Sequence, residues 1–343
     1  MFPLLGKNIE ELQAVAVGAG LPRYTGKQLA EWLYRKRAES FEEMTNISIK
    51  GRQTLANGFI TGRTKPVAAV ESEDGTRKFL FQVGKEYVET VLIPEEERNT
   101  LCISTQAGCR MRCAFCMTGT LGFRKHLTAA EMLNQILTID GMTDGRLTNL
   151  VLMGEGEPMD NLDEVLHVLD VLTSDWGYGW SPKRITVSSV GVMPGLARFL
   201  QESDCHVAIS LHNPFHEERA AIMPTEKAYP IAETVKELRK YDFAHQRRLS
   251  FEYICWGGMN DTPRHANELV RLLRGLTCRV NLIRFHEGAE QLNGQHFPSS
   301  DEKQMVWLRD YLTEKGITTT IRRSRGEDIQ AACGMLVNAL KDK

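Results

Sequence analysis

The second part of the chain alternates short apolar runs with amphipathic helical segments, and this alternation limits the possible fold more than any other feature. From residue 100 onward, apolar and β-branched runs occur at TLCIST, NLVLM, RITVS, HVAISL, LSFEYI, RVNLI and TTTIRR, with segments such as NLDEVLHVLDVL and HANELVRLLRGL between them. Repeated strand–helix units of this kind form a parallel sheet with helices outside it. We therefore predict an α/β fold, a partial or closed (β/α) barrel, with its chemistry at the carboxyl ends of the strands.

The chain changes character near residue 95. Residues 8–56 carry apolar positions every three or four residues, interrupted by glycines, which predicts short helices. The strand-like runs TRKFLFQV and EYVETVLI follow. For a chain of 343 residues we predict a helical accessory domain over 1–60, a strand-rich connector over 61–95 and a barrel domain over 96–343.

Composition and charge exclude several classes of protein. The net charge of −2 argues against a uniformly basic nucleic-acid-binding domain, so any basic surface must be local. No apolar run approaches the roughly 20 residues that cross a bilayer. Lys7, Glu10 and Glu11 interrupt the apolar N-terminal stretch too early for a secretory signal. We predict a cytoplasmic protein without a membrane partner.

Three closely spaced cysteines are the strongest chemical signal. Cys109, Cys113 and Cys116 have the spacing C-x3-C-x2-C on a loop after a predicted strand. Three thiolates can hold three irons of a [4Fe–4S] cluster and leave the fourth iron open, where S-adenosylmethionine can chelate through its amino and carboxylate groups. The alternative is a zinc knuckle, which needs a fourth Cys or His nearby, and His126 lies ten residues on. The spacing favours the cluster and leaves zinc open.

Polar residues and glycines follow several of the predicted strands. At such strand ends lie Gly156, Glu157, Ser188, Ser210, Leu211 and His212. Glycine lets the backbone approach a ligand closely, and a carboxylate at a strand end can accept a bond from an ammonium group. A glycine-rich turn with a solvated glutamate is the alternative interpretation of MGEGEP, residues 153–158. Together with the cysteine loop, this succession predicts a ligand site at the barrel mouth.

Two cysteines, Cys102 and Cys333, lie apart from the cluster motif. Cys102 belongs to the strand that leads to the cysteine loop, and Cys333 lies near the C-terminus, followed by glycine. Spacing alone predicts a small buried residue at each position.

A series of separated segments, in the same order, resembles the RlmN/Cfr family of radical S-adenosylmethionine RNA methyltransferases. The similar segments are VETVLIP, TLCISTQAGC, the three-cysteine motif, TGTLGF, MGEGEP, ITVSSVGVMPGL, AISLHNPFHEERAAIMP, MNDTPRHANEL, VNLIRF and RGEDIQAACG. They cover nearly the whole chain, so the resemblance is specific. It implies a barrel of the radical S-adenosylmethionine type and an N-terminal helical domain that helps to hold RNA.

The resemblance implies roles for individual residues. The positions that match the cluster ligands are Cys109, Cys113 and Cys116. The family likeness further implies that Cys333 carries a methyl group, that Cys102 forms a transient disulfide with it, and that Glu89 accepts a proton. The positions that match cofactor-binding residues are Gly156, Glu157, Ser188, Ser210, Leu211, His212 and His286.

Two of these regions depart from the family pattern. His286 stands where the family has an asparagine after the VNLI strand, and an imidazole can replace the amide as a donor only with different geometry. Glu155, the first glutamate of MGEGEP, stands where the family has methionine.

The implied activity is methylation of an adenine ring carbon through a methyl-cysteine relay. An aromatic ring carbon is not nucleophilic, so direct transfer from a sulfonium would fail, whereas a methyl group on Cys333 can be activated by a 5′-deoxyadenosyl radical. The implied cofactors are a [4Fe–4S] cluster and S-adenosylmethionine. The implied partners are ribosomal RNA, with transfer RNA as a second substrate, and an electron donor such as flavodoxin or ferredoxin. We expect a monomer.

The position of methylation stays open in the sequence. Pro158 after Glu157 resembles the family branch that methylates C2 of adenine, which implies 23S ribosomal RNA, whereas Arg284 after NLI resembles the branch that methylates C8, the resistance-type activity. Two other functions compete with RNA methylation: a radical enzyme acting on a protein or small molecule, and a non-catalytic iron–sulfur or zinc protein that binds RNA. The trio of Cys102, Cys333 and Glu89 argues against the first of these. The second predicts that the reduced protein does not cleave S-adenosylmethionine.

Overall fold

The structure is a computed structural model that describes residues 1–143, 146–285, 297–331 and 334–336. Its strands are β1 (Phe2–Pro3), β2 (Phe59–Ile60), β3 (Ala68–Glu71), β4 (Arg77–Val83), β5 (Glu86–Glu95), β6 (Arg98–Cys102), β7 (Gln106–Ala107), β8 (Lys125–His126), β9 (Asn149–Leu152), β10 (Ile185–Ser189), β11 (His206–Ser210), β12 (Leu249–Cys255), β13 (Arg279–Arg284) and β14 (Thr318–Ile321).

Eleven α-helices alternate with or precede these strands within the described residues. They are α1 (Ile9–Gly18), α2 (Thr25–Ala30), α3 (Ile49–Gly58), α4 (Met117–Leu121), α5 (Ala129–Met142), α6 (Leu162–Thr173), α7 (Met193–Glu202), α8 (His216–Ile222), α9 (Ile231–Leu238), α10 (Pro263–Leu273) and α11 (Glu302–Glu314). Helices α1 and α5 each begin with a capping box, formed by Asn8 with Glu11 and by Thr128 with Glu131. In a capping box the side chains satisfy backbone N–H groups that the first turn leaves without partners.

One ten-stranded sheet organises most of the chain, in the order β14-β13-β12-β11-β10-β9-β6-β5-β4-β3. Strands β9 to β14 and β6 run parallel, as the strand–helix alternation predicts. The same sheet continues in antiparallel pairs from β6 to β5, from β5 to β4 and from β4 to β3. No ladder closes β14 onto β3 within the described residues, so the fold is the open, partial form of the predicted barrel.

The N-terminal helices form a small unit against one side of the barrel. β1 and β2 pair in parallel and hold α1 to α3 together, with Leu12, Leu29 and Leu33 fully buried among them. The Tyr34 hydroxyl donates to the carbonyl of Lys7 at 2.6 Å, closing this unit. None of the described helices is both long and apolar enough to cross a bilayer.

Candidate active site

The three cluster cysteines lie on the loop between β7 and α4, which follows the end of β6. Cys109 and Cys113 are buried, and Cys116 is half-buried. Gly108 begins this loop in the left-handed region, with φ of +68°, and a side chain there would collide with the carbonyl oxygen of Gly122. Only glycine fits such a position, so the loop conformation is fixed by the sequence just before the first cysteine.

The three thiols form a donor set that suits an iron–sulfur cluster. Burial raises the pKa of Cys109 to about 12, and burial followed by the neighbouring Cys116 and Cys109 raises the pKa of Cys113 well above its usual value. Thiols in such an environment become thiolates when iron binds them, because the metal supplies the missing positive charge. A cluster also binds each thiolate to a different iron, so the three sulfurs do not have to meet at one point.

The zinc alternative finds no support in the described part of the chain. Among those residues, no three Cys, His, Asp or Glu side chains converge closely enough to share one metal ion. His126, the nearest histidine in sequence, is engaged elsewhere: its Nδ1 lies 3.1 Å from the amide nitrogen of Gln106, and its Nε2 lies 3.3 Å from Arg110.

An aromatic cluster covers the last cysteines. The rings of Phe115 and His212 meet edge to face with centroids 4.7 Å apart, and Trp256 lies 5.4 Å from Phe115. His212 adopts φ of +55°, and its Nδ1 accepts the backbone N–H of Ile254 at 3.1 Å. Burial, followed by the charge of Arg219, lowers the pKa of His212 to about 3. The imidazole is therefore neutral and carries its proton on Nε2.

Glu157 connects the ends of two neighbouring strands. Its carboxylate accepts the N–H of Met159 at 3.0 Å and the N–H of Val190, which follows β10, at 2.9 Å. Burial raises the pKa of Glu157 to about 7. Gly156 has φ of +101°, and a side chain there would overlap Gln106. The glycine-rich turn is thus a buried junction, and its glutamate is not solvated.

The remaining cofactor candidates lie on the next two strands. Ser188 is half-buried in β10 and Ser210 is half-buried at the end of β11. These strands are paired, with Ser188 opposite Ala208. Leu211 is fully buried directly after Ser210. The structure therefore gathers the predicted residues of three strand ends around the cysteine loop.

Glu89 is completely buried and is held from three sides. Its N–H donates to Glu155 at 2.9 Å, and its carbonyl accepts the hydroxyl of Ser104 at 2.6 Å. Its carboxylate pairs with the ammonium of Lys78 at 3.0 Å, and the side chains of both residues are at most 1% exposed. Lys78 is a site residue that sequence reasoning missed.

Lys78, Glu89 and Cys102 share one face of the sheet. Val91 pairs with Lys78 on one side and with Cys102 on the other, and Glu89 lies two residues from Val91 along β5. Side chains two residues apart on a strand point to the same face of the sheet. The carboxylate of Glu89 and the thiol of Cys102 therefore lie on the same face. Cys333 and His286 lie outside the described residues.

A cavity of about 480 Å³ opens on this same face. It reaches from Asn149, at the start of β9, to Met153, just past its end. Nine basic and two acidic side chains line it, and within the described residues only Arg284 and Arg325 of the nine form ion pairs. The basic residues at its rim include Arg98, Lys183, Arg184, Arg248, Arg279 and Arg322.

Most of the rim lies at the amino-terminal ends of the parallel strands, with Arg322 just after the end of β14, and the rim is strongly positive. His206 begins β11 within it, and burial, followed by the charges of Arg248 and Lys183, lowers its pKa to about 4. The basic residues come from several separate segments of the chain, so no single run in the sequence reveals them. A concentrated positive potential of this kind attracts phosphate-bearing ligands.

Comparisons with known proteins agree with this geometry. Residues 103–273 match the family profile described as the Radical SAM superfamily, and residues 2–60 match the Ribosomal RNA large subunit methyltransferase N-terminal domain. The superfamily uses a [4Fe–4S] cluster and S-adenosylmethionine, the cofactors that the cysteine loop predicts.

Full-length relatives are similar over nearly the whole chain. A probable dual-specificity RNA methyltransferase RlmN from Porphyromonas gingivalis is 56% identical, covering 97% of this chain and 96% of the relative. The dual-specificity RNA methyltransferase RlmN from Geobacter sulfurreducens is 40% identical, covering 99% and 93%. The crystal structure of a radical SAM methyltransferase from Sphaerobacter thermophilus is 35% identical, with a TM-score of 0.90 and coverage of 98% and 99%. The chain therefore belongs to the RlmN family of radical S-adenosylmethionine RNA methyltransferases.

Proposed function

We propose that this protein methylates a ring carbon of adenine in RNA, at C2, through a methyl group carried on Cys333. The observation that best supports the proposal is the shared sheet face of Lys78, Glu89 and Cys102, beside the cysteine loop. A radical enzyme that only abstracts hydrogen from a protein or small molecule needs neither a buried base nor a second thiol at this place.

We assign cluster ligation to the cysteine loop and cofactor binding to the strand ends around it. The proposed ligands of the [4Fe–4S] cluster are Cys109, Cys113 and Cys116. The proposed S-adenosylmethionine-binding residues are Gly156, Glu157, Ser188, Ser210, Leu211, His212 and His286. When bound, the reduced cluster and S-adenosylmethionine supply a 5′-deoxyadenosyl radical that can remove a hydrogen atom.

The chain's own residues then perform the transfer. Cys333, as a thiolate, takes a methyl group from S-adenosylmethionine by displacement, and that carbon later joins the adenine ring. Glu89 accepts the ring proton, and the electron pair of the C–H bond stays with the ring. Cys102, as a thiolate, attacks the sulfur of Cys333: the disulfide forms as the bond from that sulfur to the transferred carbon breaks, and the carbon takes up a proton to become the methyl group. The one unpaired electron left by the radical addition would pass to the oxidised cluster. Thiol exchange must then reduce the disulfide. No disulfide joins two of the described cysteines.

We propose that RNA approaches through the basic rim of the cavity. Phosphates would lie against the rim, because counterion release at basic side chains drives nucleic-acid binding. From Ile93, which lines the cavity, to Glu89 is four residues along β5, or about 13 Å at the rise of an extended strand. An adenine that reaches Glu89 must therefore leave its stack, as bases do for enzymes that modify them.

The RNA classes and the other partners are also proposals. Large-subunit ribosomal RNA is the favoured substrate, and transfer RNA is the second, since the relatives are named dual-specificity RNA methyltransferases. We propose that the helical domain over 1–60 helps to hold the RNA, that 61–95 connects it and supplies Glu89, and that 96–343 carries the cluster and the methyl-carrying cysteine. An electron donor such as flavodoxin or ferredoxin, a monomeric state and a cytoplasmic location complete the proposal.

One reaction tests the proposed function. The anaerobically reconstituted enzyme is incubated with 23S ribosomal RNA, and the digested RNA is analysed for 2-methyladenosine and 8-methyladenosine. We expect 2-methyladenosine from the wild type, a methyl group on the Cys333 peptide by mass spectrometry, and a loss of product in Glu89→Gln. Glu86→Gln, a half-buried glutamate on the same strand, is the matched control.

Each other outcome contradicts a named part of the proposal. If only 8-methyladenosine forms, the C2 assignment is wrong. If Glu89→Gln is as active as Glu86→Gln, Glu89 is not the base. If neither methyladenosine forms with ribosomal or transfer RNA, the proposed RNA substrate is wrong, and a radical enzyme acting on a protein or a small molecule is again the competing hypothesis.

A further inference from the structure

Lys78 is a buried cation that the chemistry above does not use. Its side chain is 1% exposed at the second position of β4, between Arg77 and the buried apolar residues 79–81. Its ammonium lies 3.0 Å from the Oε1 of Glu89 and donates to the backbone carbonyl of Gln330 at 3.2 Å. One ammonium group therefore contacts both the proposed base and a residue three positions before Cys333.

Gln330 is held in an unusual backbone conformation at this contact. Its φ of +54° lies in the left-handed region, which a residue with a side chain rarely adopts. Such strain persists only where surrounding contacts over-determine it, and it is common at functional sites. Here the contacts are the Lys78 bond to the Gln330 carbonyl and a bond from the Gln330 N–H to the carbonyl of Glu327 at 3.1 Å.

The segment around Gln330 is also tied to the hairpin that carries Lys78. The N–H of Gly326 donates to the Asp74 carboxylate at 3.0 Å, and Asp328 accepts the hydroxyl of Ser72 at 2.6 Å. On the far side of positions 332 and 333, the carbonyl of Gly334 accepts the N–H of Met117, directly after the cluster cysteines, at 2.7 Å. The described residues before position 332 and after position 333 are thus hydrogen-bonded to elements of the candidate site.

We propose that Lys78 is a positioning residue for proton removal. Its ammonium orients the Glu89 carboxylate and also holds the segment that leads to Cys333 in a fixed position relative to that carboxylate. This inference rests on the proposed roles of Glu89 and Cys333. A lysine ammonium offers three donors, so it can serve the carboxylate and the carbonyl at the same time. An apolar side chain of similar volume could fill the space but could do neither.

The test compares Lys78→Met, Lys78→Arg and the control Lys85→Met, an exposed lysine at the turn between β4 and β5. In single-turnover reactions with RNA we expect Lys78→Met to lower the rate of methyladenosine formation by about 10-fold to 100-fold, because positioned proton transfer contributes at least that much. Formation of 5′-deoxyadenosine and methylation of Cys333 should persist, and a covalent enzyme–RNA adduct should accumulate on denaturing gels. Lys78→Arg should recover part of the rate.

A second readout needs no cofactor or RNA. In the unloaded protein, amide hydrogen exchange over residues 326–331 should be faster in Lys78→Met than in the wild type and in Lys85→Met, because the Gln330 carbonyl loses its donor. Lys78→Arg should keep exchange slow.

The outcomes separate this inference from the proposed function. If the wild type makes methyladenosine and Lys78→Met does so at the same rate, Lys78 has no positioning role. A loss of 5′-deoxyadenosine formation together with product, without any adduct, would show a general structural defect and would also overturn it. If the wild type itself forms neither adduct nor methyladenosine, the proposed function fails, and this inference fails with it.

Discussion

Replacing Arg219 with methionine should destabilise the protein strongly. Arg219 is fully buried and forms an ion pair with Glu226, which is 1% exposed. Its guanidinium also donates to three carbonyls at the ends of β10 and β11: Val190 at 3.0 Å, Ser210 at 2.8 Å and Leu211 at 2.9 Å. One side chain thus joins the strand ends that carry the proposed cofactor-binding residues.

The expected size of the effect follows from what methionine leaves behind. The Glu226 carboxylate would keep only the Ile231 N–H, at 3.0 Å, and the exposed His216 as partners, with no permanent positive charge beside it. Breaking a buried ion pair on one side costs about 3–5 kcal/mol, because a charge stays buried without compensation. At about 2–4 °C per kcal/mol for a large domain, the melting temperature should fall by roughly 6–20 °C.

Thermal and urea unfolding of the unloaded protein, followed by circular dichroism, measure this change. Arg219→Lys keeps a positive charge and should retain part of the stability. Arg198→Met is the control, because Arg198 forms ion pairs with Asp163 and Glu202 on the surface, where water screens them. If Arg219→Met unfolds at the same midpoint as Arg198→Met, the buried pair does not support the strand ends and the reasoning is wrong.

Three further predictions concern the proposed chemistry. Cys113→Ala should lose the charge-transfer absorbance of the cluster after anaerobic reconstitution, and a variant with a full cluster would contradict the ligand assignment. Cys102→Ala should trap a covalent enzyme–RNA adduct on denaturing gels, since nothing displaces the sulfur; normal turnover would exclude the disulfide step. S-adenosylmethionine should bind more weakly as the pH falls from about 8 to about 6, because the pKa of Glu157 near 7 means that its carboxylate, the proposed partner of the ammonium, becomes neutral in that interval. Equilibrium dialysis measures this, and the same pH dependence in Glu157→Gln would refute the cause.

The parallel part of the fold could be predicted from the sequence because its signals are local. Each of the seven predicted runs overlaps a strand, from β6 at TLCIST to β14 at TTTIRR. Strands β4 and β5 were predicted, whereas β3 and the pairing of β5 with β6 were not. Pairing between segments depends on which apolar faces meet in three dimensions, and a local pattern does not contain that information.

The sequence predicts those site residues whose chemistry requires a fixed spacing along the chain. It does not predict those that reach the site only through the packing of distant segments. The cysteine loop follows from three thiols at cluster spacing. Lys78 did not follow, because a lysine beside Arg77 is typical of a strand edge in water. It is buried because β4 pairs with β5 and because the segment around Gln330 lies over it. The basic rim was hidden for a similar reason: its residues lie at or next to the ends of different strands, in a chain with a net charge of −2.

Glu155, the residue that departs from the family pattern, shows how the two halves of the site are coupled. Its carboxyl group accepts the N–H of Glu89 at 2.9 Å and the N–H of Gly108, just before the first cluster cysteine, at 3.2 Å. Burial raises the pKa of Glu155 to about 8, so a neutral carboxyl group is favoured at neutral pH and no cation is needed beside it. A methionine could fill the space but could not accept these bonds. In this chain the strand of the proposed base and the cysteine loop therefore share one acceptor, and a shift of either would disturb the other.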